Sequence, residues 1–142
     1  TGLTNAVAYT FTVAAKNARG TGVGSAPTAA IVVGTPGAPT GAAATPRNAA
    51  AVVHWVAPVA NGATITGYTV TPYLAGVAQT TRTFASAATS QTITGLTNAR
   101  SYVFRVAAKN SRGTGPASAA TPAADPAAST RSGPSPRRDL AR

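Results

Sequence analysis

An all-β sandwich of seven short strands, preceded by a partial copy of itself, is the architecture this sequence predicts. Three observations carry it. The first is the stretch Thr94–Gly115. From Tyr102 it alternates, with Tyr102, Phe104, Val106 and Ala108 on one face and Val103, Arg105, Ala107 and Lys109 on the other. A period of two with aromatics on one face marks a half-buried strand, and Asn110–Gly115 follows it with a glycine-rich turn. The second is a set of similar short runs separated by turn signals, at Ala51–Val56 and Ile65–Thr71. The third is internal repetition. Thr1-Gly2-Leu3-Thr4-Asn5-Ala6 matches Thr94 to Ala99 residue for residue. Tyr9, Phe11, Val13 to Asn17 and Arg19 to Gly22 match Tyr102, Phe104, Val106 to Asn110 and Arg112 to Gly115. The offset is 93, Gly95 minus Gly2. It suits tandem sandwich modules of ~100 residues each.

Taken in order, residues 1–33 read as the last two strands of one module, with Ala29-Ala30-Ile31-Val32-Val33 closing the second. A lone hairpin is marginal in water, and Tyr9, Phe11 and Val13 have no visible partner sheet. Residues 34–41, Gly-Thr-Pro-Gly-Ala-Pro-Thr-Gly, form a linker by composition, kept short and extended by Pro36 and Pro39. Ala42, Ala44 and Thr45 follow as a first strand. Val53 and Trp55 share the inner face of the next, which ends at Ala57-Pro58, while His54 alternates outward. Asn61-Gly62 is a turn. In Ile65–Thr71, Tyr68 and Val70 point inward, and Pro72 predicts an early loss of pairing. Val77–Phe84 and Gln91–Ile93 supply two more strands, with Ile93 and Leu96 feeding the core. After the Tyr102 strand, Ala117–Thr121 closes the module.

Trp55-x-x-Pro58, Ile65-Thr-Gly-Tyr68-x-Val70 and Gly95-Leu96-x(5)-Tyr102 together resemble the fibronectin type III family. The resemblance covers about Thr1 to Pro122. It implies a seven-stranded, immunoglobulin-like sandwich over residues 35–122, preceded by an F–G hairpin, with the seven strands named A, B, C, C′, E, F and G. It also implies a tyrosine corner, in which the Tyr102 hydroxyl bonds backbone near Leu96 to Asn98. The expected core is Trp55, Tyr68, Val70, Ile93, Leu96, Tyr102, Phe104 and Val106. Beyond Pro122 the alternation stops, and residues 123–142 read as a disordered basic tail rich in Ala, Pro and Ser.

Composition bounds function mainly by exclusion. Hydrophobic residues make up 44% of the 142 but aromatics only 6%, so the core rests on a few large side chains. Twelve Lys plus Arg face two Asp, a net charge of +10. Such a surface attracts polyanions, although ten arginines amid abundant Ala, Gly and Pro also fit a GC-rich genome. Without cysteine there is neither a disulfide framework nor a thiolate metal site. No apolar run approaches the ~20 residues of a membrane span. The chain opens on Thr1 within a motif and without a signal peptide, the start expected of a fragment or a processed piece.

No catalytic, cofactor or metal site is expected. Asp125 and Asp139, the only acids, both fall in the tail, so paired-carboxylate and Ser-His-Asp chemistry lack an acid in the folded part. One histidine without cysteine or a folded carboxylate makes no metal site. Arg19-Gly-Thr-Gly22 and Arg112-Gly-Thr-Gly115 are turns rather than phosphate loops, because no Lys-Ser/Thr and no helix follows. In animal members of the resembled family this F–G loop can carry Arg-Gly-Asp for integrins, but Thr114 stands where the aspartate would. The remaining candidate is a basic patch for a polyanion or cell-wall polymer, with Arg82 and Arg105 on one outer face and Lys109 and Arg112 toward the loop. No aromatics interleave there, so a nucleic-acid stacking platform is not expected. The resemblance implies a spacer or interaction module in a secreted or cell-surface protein of bacterial array type. Its partners would be neighbouring modules of the same chain, with polysaccharide or protein as further ligands. The alternative is an accessory module of an extracellular glycoside hydrolase whose catalytic domain lies elsewhere.

Overall fold

The computed structural model describes residues 2–128, and every regular element in them is a strand. The first hairpin holds four two-residue strands: β1 (Ala8–Tyr9), β2 (Lys16–Asn17), β3 (Gly20–Thr21) and β4 (Ile31–Val32). β1 pairs with β4 and β2 with β3. The module follows as β5 (Thr40–Arg47), β6 (Ala50–Val56), β7 (Ile65–Leu74), β8 (Val77–Ala78), β9 (Arg82–Phe84), β10 (Ser90–Thr94), β11 (Tyr102–Asn110) and β12 (Gly113–Ala117). One antiparallel sheet runs β10-β6-β5. The other runs β12-β11-β7, with β8 and β9 both on the free edge of β7.

The alternation seen in the sequence explains the core. Val53 and Trp55 from β6 and Ile93 from β10 meet Tyr68 and Val70 from β7 and Phe104 and Val106 from β11, and Leu96 and Tyr102 close one end. All of these are buried. Trp55 sets its ring edge-on to Tyr68 with centroids 4.9 Å apart, a favourable geometry for an aromatic pair. Its Nε1 is buried without a hydrogen-bond partner. The Tyr102 hydroxyl accepts a hydrogen bond from the Thr97 N–H at 3.2 Å, which forms the corner. Tyr102→Phe is therefore expected to lose ~0.5–1.5 kcal/mol, the net worth of one such bond, measured by urea unfolding.

Several sequence expectations are corrected. Pro72 does not end its strand: β7 runs on to Leu74, paired with β11 throughout. The Pro72 carbonyl accepts from the Gln79 N–H at 2.8 Å, and its missing N–H falls at the break between β8 and β9. A proline is tolerated at such a gap, and this is why the expected strand Val77–Phe84 is two short ones. The closing strand begins at Gly113 rather than Ala117. Its ladder then turns irregular, because the Ser118 and Thr121 hydroxyls accept the Val106 and Phe104 N–H groups at 3.1 and 3.0 Å. The expected tail starts too early as well. Ala124 exchanges backbone bonds with Tyr102, and the carbonyl of buried Pro126 accepts from the Ala99 N–H at 2.8 Å. The expected tail residues from 129 onward, Asp139 among them, lie outside the described residues.

Candidate functional site

Among the described residues, side chains capable of acid–base or metal chemistry are few. Asp125 and His54 are both exposed, and no cluster of metal-ligating side chains occurs among the described residues. No helix among them is long and apolar enough to cross a membrane.

The four cations do not form one patch. Arg82 pairs across the ladder with Val70, a core residue, whereas Arg105 pairs with Thr71. Directly opposed residues share a face, so Arg82 leans toward the core edge and its guanidinium approaches the Thr94 carbonyl at 3.5 Å. The expected common face for Arg82 and Arg105 is therefore wrong, because register sets face. Arg105 lies over the Tyr73 ring at 5.8 Å, and Lys109 follows it on the outer face of β11. Arg112 stands apart, beside Asn5 and Thr35 where the hairpin meets the module.

That meeting point is the most densely hydrogen-bonded side-chain site among the described residues. Asn110 is buried, and its Nδ2 donates to the carbonyls of Gly34 and Ala60, each at 3.0 Å, with the Ala63 carbonyl at 3.3 Å. Its Oδ1 accepts the Arg112 N–H at 2.9 Å. One side chain thus joins the linker, the loop between β6 and β7, and the β11–β12 turn. Around it, Asn61 Nδ2 donates to the Thr35 carbonyl at 2.7 Å and the Gly37 N–H to Val59 at 2.9 Å. Pro36 and Pro39 are fully buried. Residues 34–41 are therefore packed into the module rather than strung out as a spacer.

The hairpin is seated on the same end. Asn5 Nδ2 donates to Thr35 Oγ1 at 3.1 Å, the Ala6 N–H donates to Val33 at 3.0 Å, and Val33 is buried. Gly34 and Gly62 both have positive φ. A Cβ on Gly34 would meet Asn5, and one on Gly62 would lie 2.2 Å from the Val32 carbonyl oxygen, so both close approaches require glycine. Hydrogen bonding by Thr4, from its side chain first and then its backbone, lowers the pKa of the Tyr9 phenol from its ordinary value. Sequence reasoning places Asn110 only at the start of a turn. The available signal is its recurrence as Asn17 in the same Lys-Asn-x-Arg-Gly-Thr-Gly string.

Comparison with known proteins agrees with this architecture. The fibronectin type III domain family matches residues 37–124, more than half of the chain. Chicken CNTN1 FN1–FN3 superposes with a TM-score of 0.56 at 22% identity, covering 89% of this chain and 45% of that one. The FN5 domain of Drosophila Lar gives 0.53 at 28% identity, covering 66% and 98%. Titin domains A168–A170 give 0.57 at 23% identity, covering 64% of this chain and 32% of theirs. The chain thus spans about a third of the titin structure and under half of the CNTN1 one. No curated protein matches.

Proposed function

The chain belongs to the fibronectin type III family, and from that membership we propose that it works as a non-catalytic spacer module of a secreted or cell-surface multidomain protein. The observation that carries this reading is the Asn110 clamp. A flexible connection would leave Gly34 and the loop carbonyls to water, yet here a buried amide holds them together at the end where the preceding segment arrives. Such a junction transmits orientation from one module to the next. The tandem arrangement in chicken CNTN1 FN1–FN3, whose likeness reaches beyond residues 37–124, supports the same view.

Spin labels on exposed Thr12 and exposed His54 test it. A single narrow distance distribution is expected for the intact chain, broadened by a Gly-Ser insertion after Thr35. A broad distribution without the insertion rules out the orienting spacer. Turnover of glycan, ester or peptide substrates that co-migrates with the pure protein rules out the non-catalytic reading.

A further inference from the structure

Strand register assembles an outer face on β7 and β11 that composition does not show. Directly opposed residues share a face, and four such pairs run along this one: Val103 with Tyr73, Arg105 with Thr71, Ala107 with Thr69 and Lys109 with Gly67. β9 adds Thr83 opposite Thr69, and the Thr81 hydroxyl lies 2.8 Å from that of Thr71. Tyr73 thus comes to stand beside Arg105, although the two are far apart in the chain.

The Arg105 guanidinium is placed by that ring, 5.8 Å from its centroid. A cation over an aromatic face is held without engaging its N–H groups, so the guanidinium fork stays open to an oxyanion. Beside it, one hydroxyl of the Thr71–Thr81 pair donates to the other, and the second keeps a hydrogen to give. Lys109 lies four residues further along the same face, ~13 Å away at the rise of a strand. The one acid among the described residues, Asp125, is at the other end of β11, where its neighbour Ala124 pairs with Tyr102. The first hairpin supplies an internal contrast. It keeps Lys109 as Lys16 but carries Thr12 in place of Arg105. The guanidinium is therefore a property of this module and not a requirement of the strand.

We propose that this face binds an anionic polysaccharide, a sugar chain bearing carboxylates or sulfates at intervals. Arg105 takes one oxyanion, with the free hydroxyl hydrogen of the Thr71–Thr81 pair as a further donor, and Lys109 takes a second. Two cations set this far apart on an open sheet select a repeatedly charged chain over a single small anion. The hydroxyls of Thr69, Thr71, Thr81 and Thr83 between and beside them exchange hydrogen bonds with sugar hydroxyls. A nucleic-acid base finds no free ring to stack on, because Arg105 already lies over Tyr73. An acidic peptide finds little to bury against beyond half-buried Val103 and the small Ala107.

The test is affinity electrophoresis of the intact chain at low ionic strength through gels holding polygalacturonate, dextran sulfate or neutral dextran, with oligothymidylate as a competitor. Retardation by one or both charged polymers and not by neutral dextran is expected, and the stronger of the two identifies the preferred acid group. Arg105→Thr, which installs the residue of the first hairpin, should weaken binding at least about tenfold through loss of a charge-assisted pair, with an unchanged far-UV spectrum. Arg47→Ala removes the same charge from the opposite sheet and should change binding less than about twofold, since solvent and salt screen it from the site. Absence of binding to both charged polymers overturns the proposal. Equal losses in Arg105→Thr and Arg47→Ala also overturn it, because the attraction would then follow net charge alone. So does oligothymidylate bound in preference to both charged polymers, which would make the face a nucleic-acid site.

Discussion

Trp55→Ala is expected to lower the stability of the sandwich by ~3–5 kcal/mol, the range for deleting a large aromatic from a packed core. Domains of this size have ~5–15 kcal/mol in total, so the variant should melt far below the parent in thermal and urea unfolding followed by far-UV circular dichroism. The reason is position as much as size. Trp55 lies between the sheets, with Tyr68 edge-on at 4.9 Å and Phe104 and Val106 in the same cluster. Few other large side chains are available to fill the void, since aromatics are 6% of the chain. Trp55→Phe should cost less than Trp55→Ala, because it keeps an aromatic ring and removes the unpartnered buried Nε1. An alanine variant that unfolds with the parent would mean that the β6 register is wrong.

The core was legible because period-two alternation directly encodes which face of a strand is buried. Each expected core side chain from Trp55 to Val106 is buried, and the Tyr102 corner forms where its spacing from Leu96 suggests. What was lost involves backbone partners that alternation does not report. Ser118 and Thr121 bond the neighbouring strand through their hydroxyls, so the end of the module looks like loop composition. The repeat itself held the better answer, since Val33 plus 93 is Pro126, and Ala6–Val33 and Ala99–Pro126 make the same backbone bond. The misplaced face of Arg82 has a similar origin: where β9 starts within a broken edge strand decides the face, and composition does not fix that start. The junction was the least legible part. Its acceptors are the carbonyls of Gly34, Ala60 and Ala63, and a carbonyl has no signature in a sequence.

Asn110→Asp is expected to be the most damaging polar substitution, and its effect should depend on pH. The amide Nδ2 donates toward three carbonyl oxygens, and a carboxylate of nearly the same shape would turn a bare oxygen toward them instead. Burial removes water as an alternative partner, and an uncompensated buried charge costs ~3–5 kcal/mol. The one donor positioned to compensate is the Arg112 N–H, which already bonds the other oxygen. Desolvation and the facing carbonyls both favour the protonated acid, so the folded pKa of the introduced carboxyl would lie above its unfolded value. The sign follows by linkage. Stability is fully present below the unfolded pKa and is lost as pH rises through the folded one. Urea unfolding at neutral and acidic pH should therefore show a large deficit against the parent near neutrality and a smaller one in acid, where the new O–H restores a donor. Asn110→Ala, which leaves carbonyls unsatisfied but adds no charge, should show a deficit of ~1–3 kcal/mol that does not change with pH. Equal, pH-independent losses in the two variants would show that packing rather than the amide's donors holds the junction together.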